Sequence, residues 1–183
     1  MPEKKSCAVT SAASGRISTD IDSYAITNHN STMTTTWTDK KFEDLSPKEL
    51  YAILQLRSEV FVVEQNCVFL DMDDKDQVSH HLMAWQGDKL VAYARIVPPG
   101  ISYVEFSIGR IVTSPTVRKQ GIGRVLVAKG IQLAYNLHGK EIIRIGAQYY
   151  LRGFYESFGF EKASDIYLED GIEHIEMLLL TKD

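Results

Sequence analysis

Hydrophobic and polar positions change period several times along the chain, and each change marks an element. Residues 1–32 are rich in Ser and Thr, carry only isolated Ile and Val, and show no period. They read as a disordered leader, with one folded domain over 33–183. Residues 37–42 form a first strand. Ser46-Pro47-Lys48-Glu49 then starts a helix, with a serine cap, proline at the first helical position and glutamate at the third. Leu50, Ile53, Leu54, Arg57, Val60 and Phe61 follow at helical spacing, which puts Arg57 on or beside the apolar face. The ordinary setting for such an arginine is a boundary position, stem buried and head in water.

Residues 64–77 form a loop carrying Asp71, Asp73, Asp74 and Asp76. A calcium loop of the EF-hand kind fails here, because Lys75, Asp76 and Leu82 occupy the positions that need an oxygen ligand, glycine and glutamate. A solvated acidic loop is the plain reading, and a rim that attracts a cationic amine is the other. Apolar runs at 80–85 and 89–97 flank Gln86-Gly87-Asp88 and predict a hairpin. His80 and His81 are adjacent, so a strand turns them to opposite faces and only one can be core-side with a partner. A long strand over 103–113 ends at Ser114-Pro115. A helix from Gly121 to about Gly139, a buried strand over 142–147 and a short helix over 149–158 follow. Strands over 160–168 and 172–180, joined by Glu169-Asp170-Gly171, close the chain. This order predicts a mixed α/β domain with a right-handed crossover in its strand–helix–strand portion.

Composition narrows the function classes. The chain has 183 residues, enough for one core, and a net charge of −4, which disfavours a general nucleic-acid binder. Its two cysteines, Cys7 and Cys67, make no disulfide framework and suit a reducing cytoplasm. No apolar run approaches the length of a membrane span, about 18 residues. Metal binding is not expected.

The chemistry concentrates at 107–137. There a strand containing Ile111, Val112 and Thr113 leads into Arg118-Lys119-Gln120-Gly121-Ile122-Gly123-Arg124, and a helix begins at once. Unpaired amides at a helix start, the helix dipole and added basic side chains suit a phosphate. Gly121 and Gly123 permit close approach. The Walker loop is absent, and the dinucleotide fingerprint fails because position 126 is Leu. A basic helix start that binds nothing is the alternative.

R-x-x-G-x-G after a strand resembles the coenzyme A pyrophosphate loop of the GNAT superfamily of N-acetyltransferases. Gln148 with Phe154-Tyr155-Glu156-Ser157-Phe158-Gly159-Phe160 resembles that superfamily's second block. Val60-Phe61-Val62-Val63-Glu64-Gln65-Asn66-Cys67, Tyr93-Ala94-Arg95-Ile96 and Glu169-Asp170-Gly171-Ile172 extend the likeness to the ElaA-type branch, over about 37–180. The resemblance implies a mostly antiparallel central sheet flanked by helices. It also implies acetyl-CoA as co-substrate and a small-molecule or protein amine as acceptor, with a homodimer compatible. Ile111, Val112 and Thr113 would line the pantetheine, residues Gln120 to Arg124 would hold the pyrophosphate, and Gln148 stands where many relatives have Asn. Tyr155 would be the general acid toward the leaving thiolate, where plain packing among Phe154, Phe158 and Phe160 is the other role. For the general base Glu64 ranks first, His174 second and Glu105 third, and a water chain is a further route. A nucleophilic Cys67 is disfavoured. A non-catalytic acyl-CoA-binding module is the second function class.

Overall fold

Ser46 and Glu49 close the first helix as their chemistry requires. In the computed structural model of the chain, which describes residues 34–181, the Glu49 amide donates to Ser46 Oγ at 3.3 Å and the Ser46 amide donates to the Glu49 carboxylate at 2.8 Å. Two orphan donors are thereby satisfied, an arrangement whose loss costs about 1 kcal/mol. Helix α1 (Pro47–Arg57) follows and runs straight into a π-helical stretch, Ser58–Glu64. The leader expected over 1–32 lies outside the described residues.

Among the described residues eight strands form one sheet: β1 (Thr35–Lys41), β2 (His80–Gln86), β3 (Lys89–Val97), β4 (Phe106–Thr113), β5 (Ile143–Gln148), β6 (Phe160–Lys162), β7 (Tyr167–Glu169) and β8 (Ile172–Leu179). Their order is β1-β2-β3-β4-β5-β8-β6, with β7 also on β8. Only β4 and β5 pair in parallel; the rest are antiparallel. The mixed α/β fold with a mostly antiparallel sheet is therefore observed. Helix α2 (Ile122–His138) makes the connection that a parallel pair needs. A short helix, α3 (Arg152–Glu156), follows a single 3-10 turn in place of one helix over 149–158.

Strand alternation divides the core in two. Leu82, Ala84, Ile96 and Ile108 face α2 and pack with Leu126 and Val127. Met83, Tyr93 and Val112 face α1 and pack with Ile53 and Leu56. Two strands are shorter than the sequence suggests. β4 begins at Phe106 because residues 101–105 bend, which brings Glu105 into hydrogen bonds with Arg144 at 2.8 and 2.9 Å. The strand over 160–168 breaks into β6 and β7 because Ser164 Oγ takes the Glu176 amide, at 2.9 Å, that a ladder carbonyl would have received.

Candidate active site

The parallel pair opens into a fork. The β4–β5 register holds at Phe106↔Ile143 and Ser107↔Arg144, and beyond these pairs the strands part. Ile111, Val112 and Thr113 lie on the β4 arm of the fork. On its other side β4 pairs with β3, where Tyr93 faces Val112 and Arg95 faces Gly109. Ala94 therefore opposes two residues, Arg110 and Ile111, which makes a β-bulge, and Arg110 sits in it at φ 52°.

The basic turn lies just past the end of β4. The chain reverses at Lys119 (φ 64°) and Gly121 (φ 82°), and Gly121 is the N-cap of α2. Open space lies over Gly121, whereas a Cβ on Gly123 would touch the Thr113 side chain at 3.7 Å, so the helix start rests on the end of β4. Ile122 is buried beneath the turn. Gln120 Nε2 donates to the Thr116 carbonyl at 3.1 Å and braces the loop. Arg124 donates to Ser157 Oγ at 3.1 Å and lies 5.0 Å over the Phe158 ring, which joins the basic turn to the α3 block.

The acid and base candidates separate by their partners. Tyr155, on α3, is 5% exposed and packs edge-on against Phe154 and Phe160, with ring centroids at 5.2 and 6.0 Å. Burial pushes its phenol well above the ordinary value, so it stays protonated across the neutral range. Glu64 is gripped by Arg118, whose two terminal nitrogens donate to its two oxygens at 2.6 and 2.8 Å. Glu105 is gripped likewise by Arg144, whose hydrogen bonds hold its carboxyl at about 2, a poor setting for a base. His174 differs. Its Nδ1 lies 2.9 Å from the Ile172 carbonyl, which only accepts, so Nδ1 carries a hydrogen and in the neutral ring the lone pair is on Nε2. The ring stacks on Tyr167 at 5.9 Å.

His174 stands across the β5–β8 register from Gln148, the last residue of β5. Gln148 itself is engaged within the protein. It donates to Gln65 Oε1 at 3.2 Å and accepts from the Tyr150 hydroxyl at 2.7 Å. Between Gln148 and Arg144 lies Gly146, exposed although its strand is interior to the sheet. The hydroxyls of Tyr103 and Tyr167 would stand 3.1 and 3.3 Å from a Cβ at this glycine. Gly146 thus lies on the sheet face away from α2, with the two tyrosine hydroxyls close above it. Burial, with the nearby Glu169 and Glu176 charges, pushes Tyr167 up to about 12, so it remains a neutral hydrogen-bonding wall.

The acidic loop corrects two expectations. It is not a solvated run, and Arg57 does not hold its head in water. Arg57 is fully buried. Its Nε donates to Asp71 at 2.7 Å and its Nη1 donates to Asp76 at 2.8 Å. Arg95 of β3 joins Asp73 at 2.6 Å and Asp76 at 2.8 Å, and Arg110 joins Asp71 at 2.8 Å. Three carboxylates are thus spent on three guanidinium groups, which removes them as a rim for a cationic acceptor; Asp74 alone of the four is exposed. Burying charges is costly unless they are paired, and the pairing holds Asp71 and Asp76 buried and Asp73 half-buried while the rest of the loop stays largely exposed. His81 is the core-side histidine of its pair, with Nε2 donating to the Asp76 carbonyl at 3.0 Å and Nδ1 accepting from the Tyr93 hydroxyl at 2.8 Å.

Burial alone would raise the Asp73 carboxyl, but hydrogen bonds and charge from Arg95, with Arg110 behind it, hold it at about 2 against an ordinary 3.8. A depressed carboxylate stabilises the fold above its unfolded pKa and loses that contribution as pH falls to its folded value. Asp73→Asn is therefore expected to flatten the fall in stability between about pH 4 and pH 2. Urea midpoints measured across that window check this, and parallel curves for the two proteins would refute it.

Arg95 stands in a block of the ElaA-type likeness, but no spacing rule marks Arg57, Arg95 and Arg110 as partners of the acidic loop. A signal does exist: single cations inside the apolar runs of α1 and β3, and an aspartate-rich loop between those runs. Two buried cations require buried anions, and this loop supplies them. Gln65 has no comparable signal. Among the described residues no group of three or more His, Cys, Asp or Glu side chains could hold a metal ion, and no helix is long and apolar enough to cross a membrane. Cys67 is buried, with Sγ 3.6 Å from the Asp170 carbonyl.

Known proteins resemble this chain in sequence and fold. The acetyltransferase (GNAT) domain model matches residues 42–181. Protein ElaA of Escherichia coli is 41% identical over 143 residues, covering 77% of this chain and 94% of the relative. A UPF0039 protein of Synechocystis is 44% identical, covering 78% and 93%. Among solved structures, an acyl-CoA N-acyltransferase from Pseudomonas aeruginosa superposes with a TM-score of 0.76 at 43% identity, covering 79% of this chain and 98% of that one. The crystal structure of E. coli ElaA gives 0.75 at 39% identity, with the same coverage. With the forked sheet, the bulged β4 and the glycine turn at α2 all in place, the chain belongs to the GNAT family of acyl-CoA-dependent acyltransferases and is a relative of ElaA.

Proposed function

We propose that this protein is an N-acetyltransferase of the cytoplasm that moves the acetyl group of acetyl-CoA directly to a primary amine of a small molecule or protein. The observation that carries this reading is the β4–β5 fork, whose β4 arm ends in the open glycine turn of α2. The turn would take the pyrophosphate on the amides of residues 120–124, with Lys119 adding charge and Arg118, shared with Glu64, beside it. The β4 arm, Ile111 to Thr113, would pair with the pantetheine as an added strand.

The acceptor would approach over Gly146, between Tyr103 and Tyr167. Its nitrogen lone pair forms the new N–C bond as the C–S bond breaks. Tyr155 would give its proton to the departing sulfur. His174 Nε2 would take the ammonium proton, directly or through water, and ranks ahead of Glu64 because Glu64 is occupied by Arg118.

Calorimetric titration with acetyl-CoA tests the reading. Binding in the micromolar range is expected. A double substitution, Arg118→Glu with Gly121→Glu, is expected to weaken it by at least about a hundredfold, because it places two carboxylates where phosphate would sit. A thermal melt of the variant separates lost binding from lost folding. Wild-type protein that binds no acetyl-CoA would end the proposal, and binding without transfer to any of a panel of amines would favour the non-catalytic module.

A further inference from the structure

Arg110 is a strained residue in a functional place. Its φ of 52° lies in the left-handed region, where glycine is the residue of least cost. The chain carries arginine there instead. Such a conformation persists where its surroundings over-determine it, and here they do so through the side chain. Arg110 Nε donates to Asp71 Oδ1 at 2.8 Å, and Nη2 donates to the Asp71 carbonyl at 3.1 Å. Asp71 is held from the opposite side by Arg57, at 2.7 Å through Oδ2 and 3.0 Å through the same carbonyl. Arg57 also binds Asp76, which Arg95 grips from β3. Both strands of the bulge, β3 through Arg95 and β4 through Arg110, are thus tied to one loop and to the end of α1.

The bulge lies in the β3–β4 ladder, at the start of the β4 arm of the fork. Arg110 and Ile111 both oppose Ala94, so the ladder between β3 and β4 is locally broken beside the arm that would carry the acyl group. A backbone amide of that arm, on the side turned away from β3, polarises a carbonyl only if its direction is set beforehand. We infer that Asp71 and Arg110 form a positioning pair that holds the β4 bulge and so aims a backbone amide at the thioester carbonyl of acyl-CoA. This rests on the acyl-CoA reading above. Neither side chain touches the reacting atoms; both act through the backbone between Arg110 and Val112.

Two unreactive analogues test the pair without knowledge of the acceptor. Acetonyl-CoA keeps a carbonyl near the thioester position, and S-ethyl-CoA lacks it. Calorimetry on the full chain is expected to show acetonyl-CoA binding about tenfold more tightly, the effect of one well-directed hydrogen bond. Arg110→Gly suits the left-handed backbone and leaves Asp71 paired with Arg57. It is expected to keep its thermal transition and its affinity for S-ethyl-CoA, while the preference falls to within about twofold. Arg110→Lys keeps the charge without the two-pronged contact and is expected to give an intermediate ratio. A tenfold preference retained by Arg110→Gly would overturn the inference and leave the acyl-CoA reading intact. Equal binding of the two analogues by the wild type would also overturn it. Wild-type protein that binds neither removes the acyl-CoA reading, and the inference with it. If Arg110→Gly lacks a thermal transition, Arg110→Lys decides, and a wild-type ratio in that variant counts against the pair.

Discussion

Arg57→Ala is expected to lower folding stability by about 3 kcal/mol, the lower part of the range of about 3–5 kcal/mol for breaking a buried ion pair by removing one partner. Arg57 has no exposed surface and makes four hydrogen bonds to the acidic loop, two to the Asp76 carboxylate and one each to the Asp71 carboxylate and carbonyl. Its removal leaves two buried carboxylates short of a partner and a cavity at the end of α1. Arg110 still reaches Asp71 and Arg95 still reaches Asp76, which limits the damage. Set against the total stability of about 5–15 kcal/mol usual for a domain, the loss would bring the protein close to its unfolding threshold. Arg57→Lys should recover only part of it, because one ammonium group does not reproduce a planar fork that serves two carboxylates and a carbonyl. Urea denaturation at neutral pH measures both variants. A loss under about 1 kcal/mol for the alanine variant would mean that the network is dispensable.

The second large effect concerns chemistry. Tyr155→Phe is expected to reduce turnover by about a hundredfold or more, within the usual range for removal of a general acid. Affinity for acetyl-CoA should stay within about threefold, since the proton is needed only as sulfur departs. The ring contacts with Phe154 and Phe160 survive the substitution, so stability should change little. Burial holds the phenol above its ordinary pKa. Tyr155 is therefore protonated throughout the working range, and any fall in kcat at low pH must come from the base. Turnover and titration measured on the same preparation separate the two roles. Unchanged kcat at every pH would reduce Tyr155 to a packing residue.

The local signals were the ones most open to reading. The serine cap and its glutamate, the apolar alternation of β2 and β3, and the glycine turn before α2 all depend on contacts a few residues apart, and they stand where the chain alone places them. The paired blocks around Gly121 and Tyr155 were enough to indicate the family. Strand ends were less legible. β4 loses its first residues to a bend that Arg144 of β5 stabilises, and β6 parts from β7 where Ser164 replaces a ladder partner. Both events depend on residues brought in from elsewhere in the sheet.

The same division holds for the site. By itself the sequence determined where the basic glycine turn stands, which strand leads to it and which tyrosine stands in the second block, because each is a property of residue type and short spacing. Only the tertiary structure decided the partners of the charged groups. It tied Glu64 to Arg118, Glu105 to Arg144 and the aspartates to three arginines, and it left His174 with its Nδ1 hydrogen on a carbonyl. Those outcomes rest on pairs 14 to 54 residues apart along the chain for the ion pairs. An ionisable side chain carries no mark of its partner, and whether it serves as a base or as half of a salt bridge is settled by which opposite charge the fold places within about 3 Å of it.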